Sequence, residues 1–178
     1  MNKILLPLLS AVILSSCGST KSTVIKNNST TAVSTKSAKE DKVYKSAYQS
    51  ISLESLKKNL TVIASDEMGG RDTGSPGQKK AGEYMINFYK QNGISFPKVL
   101  GSFYQKVPAS YMAKRGGGSL PDSENILAFI EGSEKPDEII VISGHYDHVG
   151  TRKGVVYNGA DDDGSGTVAV MEIAKAFE

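Results

Sequence analysis

Glu138-Ile139-Ile140-Val141-Ile142-Ser143-Gly144-His145-Tyr146-Asp147-His148 joins a β-branched apolar run directly to both histidines of the chain. Consecutive Ile139 to Ile142 have no polar alternation, the pattern of a strand buried on both faces. In open α/β sheets, ligands sit beyond the carboxyl ends of such strands, so His145 to His148 fall where chemistry is expected. Residues two apart on a strand share a face, so His145 and Asp147 point the same way and His148 points elsewhere. A carboxylate beside an imidazole fixes its tautomer and raises its basicity as a metal ligand.

Downstream comes Asn158-Gly159-Ala160-Asp161-Asp162-Asp163-Gly164-Ser165-Gly166. Three adjacent carboxylates repel one another unless solvent or a cation compensates them. A divalent metal does this well, and one carboxylate can bridge two ions. Glycines allow a sharp turn, and the following helix offers its positive end to the acids. Alone, a histidine at a strand end is commonly structural, and an Asp-Gly run is commonly a solvated turn. Together, between a buried strand and an apolar helix, they favour a metal site. Three other motifs compete for these residues. Asp161-x-Asp163-x-Ser165-Gly166 with Glu172 approaches a calcium loop, but the preceding Val155-Val156-Tyr157 reads as extended where that motif needs a helix. Gly164-x-Gly166-x-x-Ala169 imitates a dinucleotide fingerprint, yet three acids beside it would repel a pyrophosphate. Ser165 lacks a nucleophile elbow, because Asp163 stands at its first glycine position.

Helices and strands surround this centre. Leu53, Leu56, Leu60 and Ile63 form one helical stripe. Ser65 to Gly74 is a glycine-rich polar loop. Ser75-Pro76-Gly77-Gln78 opens a second helix with a cap, a first-turn proline and a capping box. Ala81, Tyr84, Met85 and Phe88 are its buried face, and Gly93 ends it. Gly101 to Pro108 and Asn125 to Ile130 are read as strands, and Lys114 to Ser119 as a mobile loop. Gly164 to Glu178 is an apolar helix. This order gives an α/β fold, a β-sheet flanked by helices.

The opening residues serve another purpose. Met1-Asn2-Lys3 is positive, and Ile4 to Leu14 is apolar but too short to span a bilayer. Leu14-Ser15-Ser16-Cys17 resembles the bacterial lipoprotein signal, in which the cysteine is lipidated and becomes the new N-terminus. That resemblance implies a signal peptide over 1–16 and a lipid anchor on Cys17 that needs no transmembrane helix. It also implies residence at the bacterial cell envelope, facing the periplasm or exterior. Residues 17–47, rich in Ser, Thr, Lys and Asn, read as a flexible tether. Residues 48–178 read as the folded part.

Composition limits what that part can be. Lys plus Arg number 21 against 19 acids, a formal charge of +2, which excludes a nucleic-acid binder working through bulk positive charge. One cysteine excludes a disulfide framework, and two histidines leave any metal site reliant on carboxylates.

Ser143-Gly144-His145-Tyr146-Asp147-His148-Val149-Gly150, followed by Asn158 to Thr167, resembles the M28 family of zinc peptidases. Ala64 to Arg71, Gly74-Ser75, Asn125 to Ala128 and Gly132 are also similar to that family. The resemblance implies a mixed β-sheet flanked by helices, two zinc ions, and hydrolysis of N-terminal peptide bonds by a zinc-activated water. By position, His145 would ligate one zinc, Asp162 would bridge both, and Asp147 would act in catalysis by orienting His145. Asp161, Asp163 and His148 would shape the loop or lie behind the ligands. The family also needs a Glu-Glu pair, a further Asp and a second His ligand. After Asp163 only Glu172 and Glu178 remain, so the chain is expected to be the front part of a longer enzyme, incomplete at its C-terminus and inactive by itself. A non-catalytic lipid-anchored module and a calcium-binding lipoprotein using Asp161, Asp163 and Glu172 are the alternatives. Single-zinc glutaminyl cyclases are a further possibility within the family.

Overall fold

A computed structural model of the chain describes residues 31–114 and 119–178, with side chains left out for 31–40 and 114. The expected signal peptide, Cys17, the first part of the expected tether and most of the 114–119 loop lie outside the described residues.

The tether expectation does not hold for residues 31–47. Thr31–Ser50 is one helix, α1. It contains no glycine or proline, and its Ala, Lys and Gln residues are good helix formers. Helix α2, Leu53–Ile63, starts where the Ser52 hydroxyl accepts from the Ser55 amide at 3.1 Å. Its expected stripe is shifted. Ile63 is buried and Leu56 and Leu60 pack against the core, but Leu53 is exposed. Helix α3, Pro76–Gln91, is capped by Ser75, whose Oγ accepts from the Gln78 amide at 3.2 Å. Gln78 does not complete a capping box with Ser75. Its side-chain oxygen reaches one residue further back, to the Gly74 amide.

The remaining elements are β1 (Tyr104–Val107), α4 (Ala109–Lys114), β2 (Ser123–Ile126), β3 (Thr151–Arg152), β4 (Val155–Val156) and α5 (Ser165–Phe177). Strands β1 and β2 pair antiparallel, with Tyr104 opposite Ile126 and Val107 opposite Ser123. Strands β3 and β4 form a second antiparallel pair. A parallel bridge joins Asp72 to His148, and an antiparallel one joins Ser95 to Phe129. Helices and small sheets thus combine in an α/β arrangement.

The core lies between α2, α3 and α5. Ile63, Ala81, Met85, Ile86, Tyr89, Val168 and Met171 fill it, joined by Phe103 and Tyr146 from the strand side. Burying each large apolar side chain contributes roughly 1.5–3 kcal/mol. A buried polar seam runs beside it. The Glu172 carboxylate of α5 accepts from Ser55 Oγ and, at 2.8 Å, from Asn59 Nδ2 of α2. Tyr84 of α3 donates to Asn59 Oδ1 at 2.7 Å. Three helices are therefore tied by one network as well as by apolar contact.

The run that begins this reading departs most from expectation. Residues 139–143 form no strand, and among the described residues they make no backbone hydrogen bond. Ile139, Ile140 and Val141 are 75%, 86% and 80% exposed. The pattern demands neighbours on both sides, and none of the described strands pairs with it.

Candidate metal centre

Two segments converge beneath this bare run. The segment from Gly144 to Gly150 is anchored on three sides. Tyr146 inserts its ring into the core and donates its hydroxyl to the Glu124 carbonyl of β2 at 2.8 Å. The Ser65–Gly74 loop meets its far end, because the amides of His148 and Gly150 donate to the carbonyls of Arg71 and Gly70, each at 3.0 Å. Helix α5 fixes the near end. The Thr167 hydroxyl donates to the His145 carbonyl at 2.9 Å, and the His145 amide donates to an Asp163 oxygen at 3.1 Å. The other Asp163 oxygen accepts from the Gly166 amide at 3.1 Å.

Asp163 is thereby consumed by backbone, joining the Gly144–Gly150 segment to the first turn of α5. The turn from Ala160 to Gly164 is irregular, with Asp162 and Asp163 off helical geometry and a cis peptide between them. Asp162 projects its carboxylate toward His145, whose Nε2 lies 3.1 Å from Asp162 Oδ1. His148 Nδ1 lies 3.8 Å from the other Asp162 oxygen. His148 therefore faces the same acid rather than elsewhere, because the chain has already left strand geometry at that point. Asp161 is exposed, and its carbonyl accepts from Ser165 Oγ at 3.2 Å.

Asp147 sits on the other side of the imidazole. His145 Nδ1 is 3.1 Å from the Asp147 carbonyl and 3.5 Å from its Oδ1. Both are acceptors, so Nδ1 carries the proton and donates. Thr73 donates its hydroxyl to the second Asp147 oxygen. Burial lowers the His145 pKa, but the hydrogen bond to Asp147 and the charges of Asp147, Asp163 and Asp162 outweigh it and raise it above the ordinary value.

With Nδ1 protonated, the neutral ring turns the lone pair of Nε2 toward a carboxylate oxygen. Two electron pairs at 3.1 Å need a cation between them, either a proton or a metal ion. Zinc bonds to nitrogen and oxygen are about 2.0–2.2 Å, so two donors on one tetrahedral ion lie about 3.3–3.6 Å apart. The donor pair, at 3.1 Å, lies a little inside that separation and would open slightly to take such an ion. It is not a complete site: among the described residues no group of three or more His, Cys, Asp and Glu side chains is placed to hold a metal.

The structure brings His145, Asp147, Asp162 and Asp163 together, and it adds partners the sequence reading did not single out. Thr73 and Thr167 both touch the pair or its support. No spacing rule reaches them, because Thr73 arrives from a distant loop and Thr167 from the opposite face of the turn. The calcium-loop alternative is corrected. Glu172 is fully buried against Ser55 and Asn59, Asp163 is bound to amides, and β4 stands where a helix would be required.

A cleft of about 210 Å³ opens beside this centre, lined by Thr73, Gln78, Ser123, Glu124, His145 and Asp147 among others.

Residues 125–178 match the family model described as peptidase family M28. A probable zinc metalloprotease of Pyricularia oryzae is 41% identical over 59 residues, covering 30% of this chain and 11% of its own length. Probable zinc metalloproteases of Pyrenophora teres f. teres and Pyrenophora tritici-repentis are each 44% identical over 59 residues, covering 30% of this chain and 12% of their own length. The chain thus spans 11% to 12% of the length of these curated relatives. No solved structure matches it. Residues 125–178, the part of the chain similar to peptidase family M28, carry both histidines and the aspartate triplet.

Proposed function

We propose that this protein is a zinc-dependent exopeptidase of the aminopeptidase type, with peptides as its substrates. The observation that carries the reading is the His145 Nε2 to Asp162 distance of 3.1 Å, with Nδ1 already engaged by Asp147. His145 would hold one zinc and Asp162 would bridge two. Bound there, the metal supplies Lewis acidity and an activated water. The chain's own residues supply orientation. Asp147 holds the imidazole in the tautomer that frees Nε2, and Thr73 holds Asp147. Asp163 locks the segment at His145 against α5. The adjoining cleft gives a peptide room to approach the His145 face.

Two donors are half of what one tetrahedral zinc takes. We therefore infer that the remaining ligands and the general base lie outside the described residues, and that these residues alone bind zinc weakly and do not hydrolyse peptides. The similarity of the opening seventeen residues to a lipoprotein signal supports a lipid anchor at Cys17 and a place on the bacterial envelope. No described helix is long and apolar enough to cross a membrane. Mass spectrometry of the mature N-terminus tests the anchor, and a free Cys17 thiol would refute it.

The deciding experiment measures bound zinc and hydrolysis of aminoacyl nitroanilides by the intact protein. Zinc together with activity, both lost in His145→Ala, is the expected result. Zinc without activity would point to a binding module that keeps the fold, and absence of zinc would end the proposal.

A further inference from the structure

Arg71 is the largest fully buried side chain among the described residues. It forms no ion pair within that set. Its guanidinium instead donates only to carbonyls. Nε reaches Tyr146 O at 2.7 Å, and Nη1 reaches Ile63 O at 2.6 Å and Asn158 O at 2.7 Å. Nη2 reaches Gly159 O at 2.8 Å. Its own carbonyl accepts from the His148 amide. Tyr146 stands between His145 and Asp147, and Gly159 stands three residues before Asp162. One planar fork thus holds both segments that carry the candidate ligands, and fixes them to the end of α2.

This is a costly way to join two loops. Taking an unpaired cation out of water is unfavourable, and burial does lower the Arg71 pKa, with only the field of Asp147 opposing it. The backbone at Arg71 is also left-handed, at φ 50, where a side chain is uncommon. A fork that satisfies four carbonyls from three segments has no substitute in lysine, whose ammonium is a point donor on a flexible stem.

We propose that Arg71 is a positioning residue of the metal centre, setting the separation of His145 and Asp162 by clamping Tyr146, Asn158 and Gly159. The proposal rests on the zinc reading above. It predicts that loss of the fork loosens the ligand pair and weakens metal binding beyond any loss of fold stability.

The test uses the intact protein as wild type, Arg71→Lys and Arg71→Gly, the last because glycine tolerates the local φ. Zinc affinity is measured by chelator competition, cobalt-substituted protein by its visible absorption, and metal-free stability by circular dichroism. The expected result is that Arg71→Lys, still folded without metal, binds zinc about 10- to 100-fold more weakly, with altered cobalt bands. In the wild type, the Arg71 Nε–H resonance should shift during zinc titration with the same midpoint as the amides of His145 and Asp162. A folded Arg71→Lys protein with wild-type affinity and unchanged cobalt bands would overturn the proposal. If both variants unfold, the wild-type titration decides alone: a moving resonance supports the clamp, and an unmoved one refutes it. Wild-type protein that takes up no zinc refutes the metal reading instead, and is distinguished by its lack of any titration.

Discussion

Asp162→Asn keeps the shape of the side chain and removes its charge. It should lower zinc affinity by at least about 100-fold, measured by chelator competition, because a neutral amide oxygen neither bridges nor balances a dication. Thr73→Val is a subtler change. It deletes the hydroxyl that donates to Asp147 and leaves Asp147 free to rotate away from His145. A loss of about 10-fold in zinc affinity with little change in unfolding midpoint is the expected outcome. Tyrosine supplies a pH signature. Burial pushes the Tyr89 phenol from 10.0 to about 12, and burial first, then Glu124 and Asp147, raise that of Tyr146. A raised folded value favours the protonated fold. The contribution of Tyr89 is therefore complete below pH 10.0 and is lost as pH climbs toward about 12. Alkaline denaturation curves should show that loss, and Tyr89→Phe should reduce it while leaving stability near neutrality almost unchanged.

Gly70 and Glu172 carry the corresponding predictions for how elements dock. Gly70 has φ +71, and a Cβ there would collide with the Gly150 carbonyl and lie 2.7 Å from Tyr157 O. Gly70→Ala should therefore destabilise by about 2 kcal/mol or more in urea unfolding, through strain and a forced separation of the two loops. Glu172→Ala leaves Ser55 and Asn59 without their shared acceptor and Lys175 without its ion-pair partner, and opens the seam between α2 and α5. A loss of roughly 3 kcal/mol is expected in the same measurement. The helices were readable from sequence because their signals are local: Ser75 caps as read, and α5 spans Ser165–Phe177 within a residue or two of expectation. The meeting of His145 with Asp162 was readable because the two segments that carry them are close in sequence. Helix α1 was missed because low hydrophobicity speaks against burial, not against helix. Arg71, Thr73 and Thr167 could not be assigned their partners, since no periodicity reports a contact between segments more than twenty residues apart. The exposed state of Ile139 to Ile142 was missed for the opposite reason. Apolar pattern states what a strand requires, and not whether the requirement is met.

That unmet requirement governs the behaviour of the whole molecule. A flat apolar segment with unpaired amides and carbonyls is a template for intermolecular pairing. This chain alone should self-associate with rising concentration in light scattering, and Ile140→Lys should suppress it without lowering the unfolding midpoint. The burial of α5 bears on the order of assembly. Val168, Met171 and Glu172 complete a core whose other walls, α2 and α3, lie about a hundred residues earlier. During synthesis, the first two walls leave the ribosome well before the helix that closes the core against them. Asp163 stands in the turn just ahead of α5, so the same late helix that seals the interior also draws the carboxylates up to the imidazole. Closure of the core by α5 and the meeting of Asp162 with His145 are therefore expected to form together, once the nascent chain has passed Ser165.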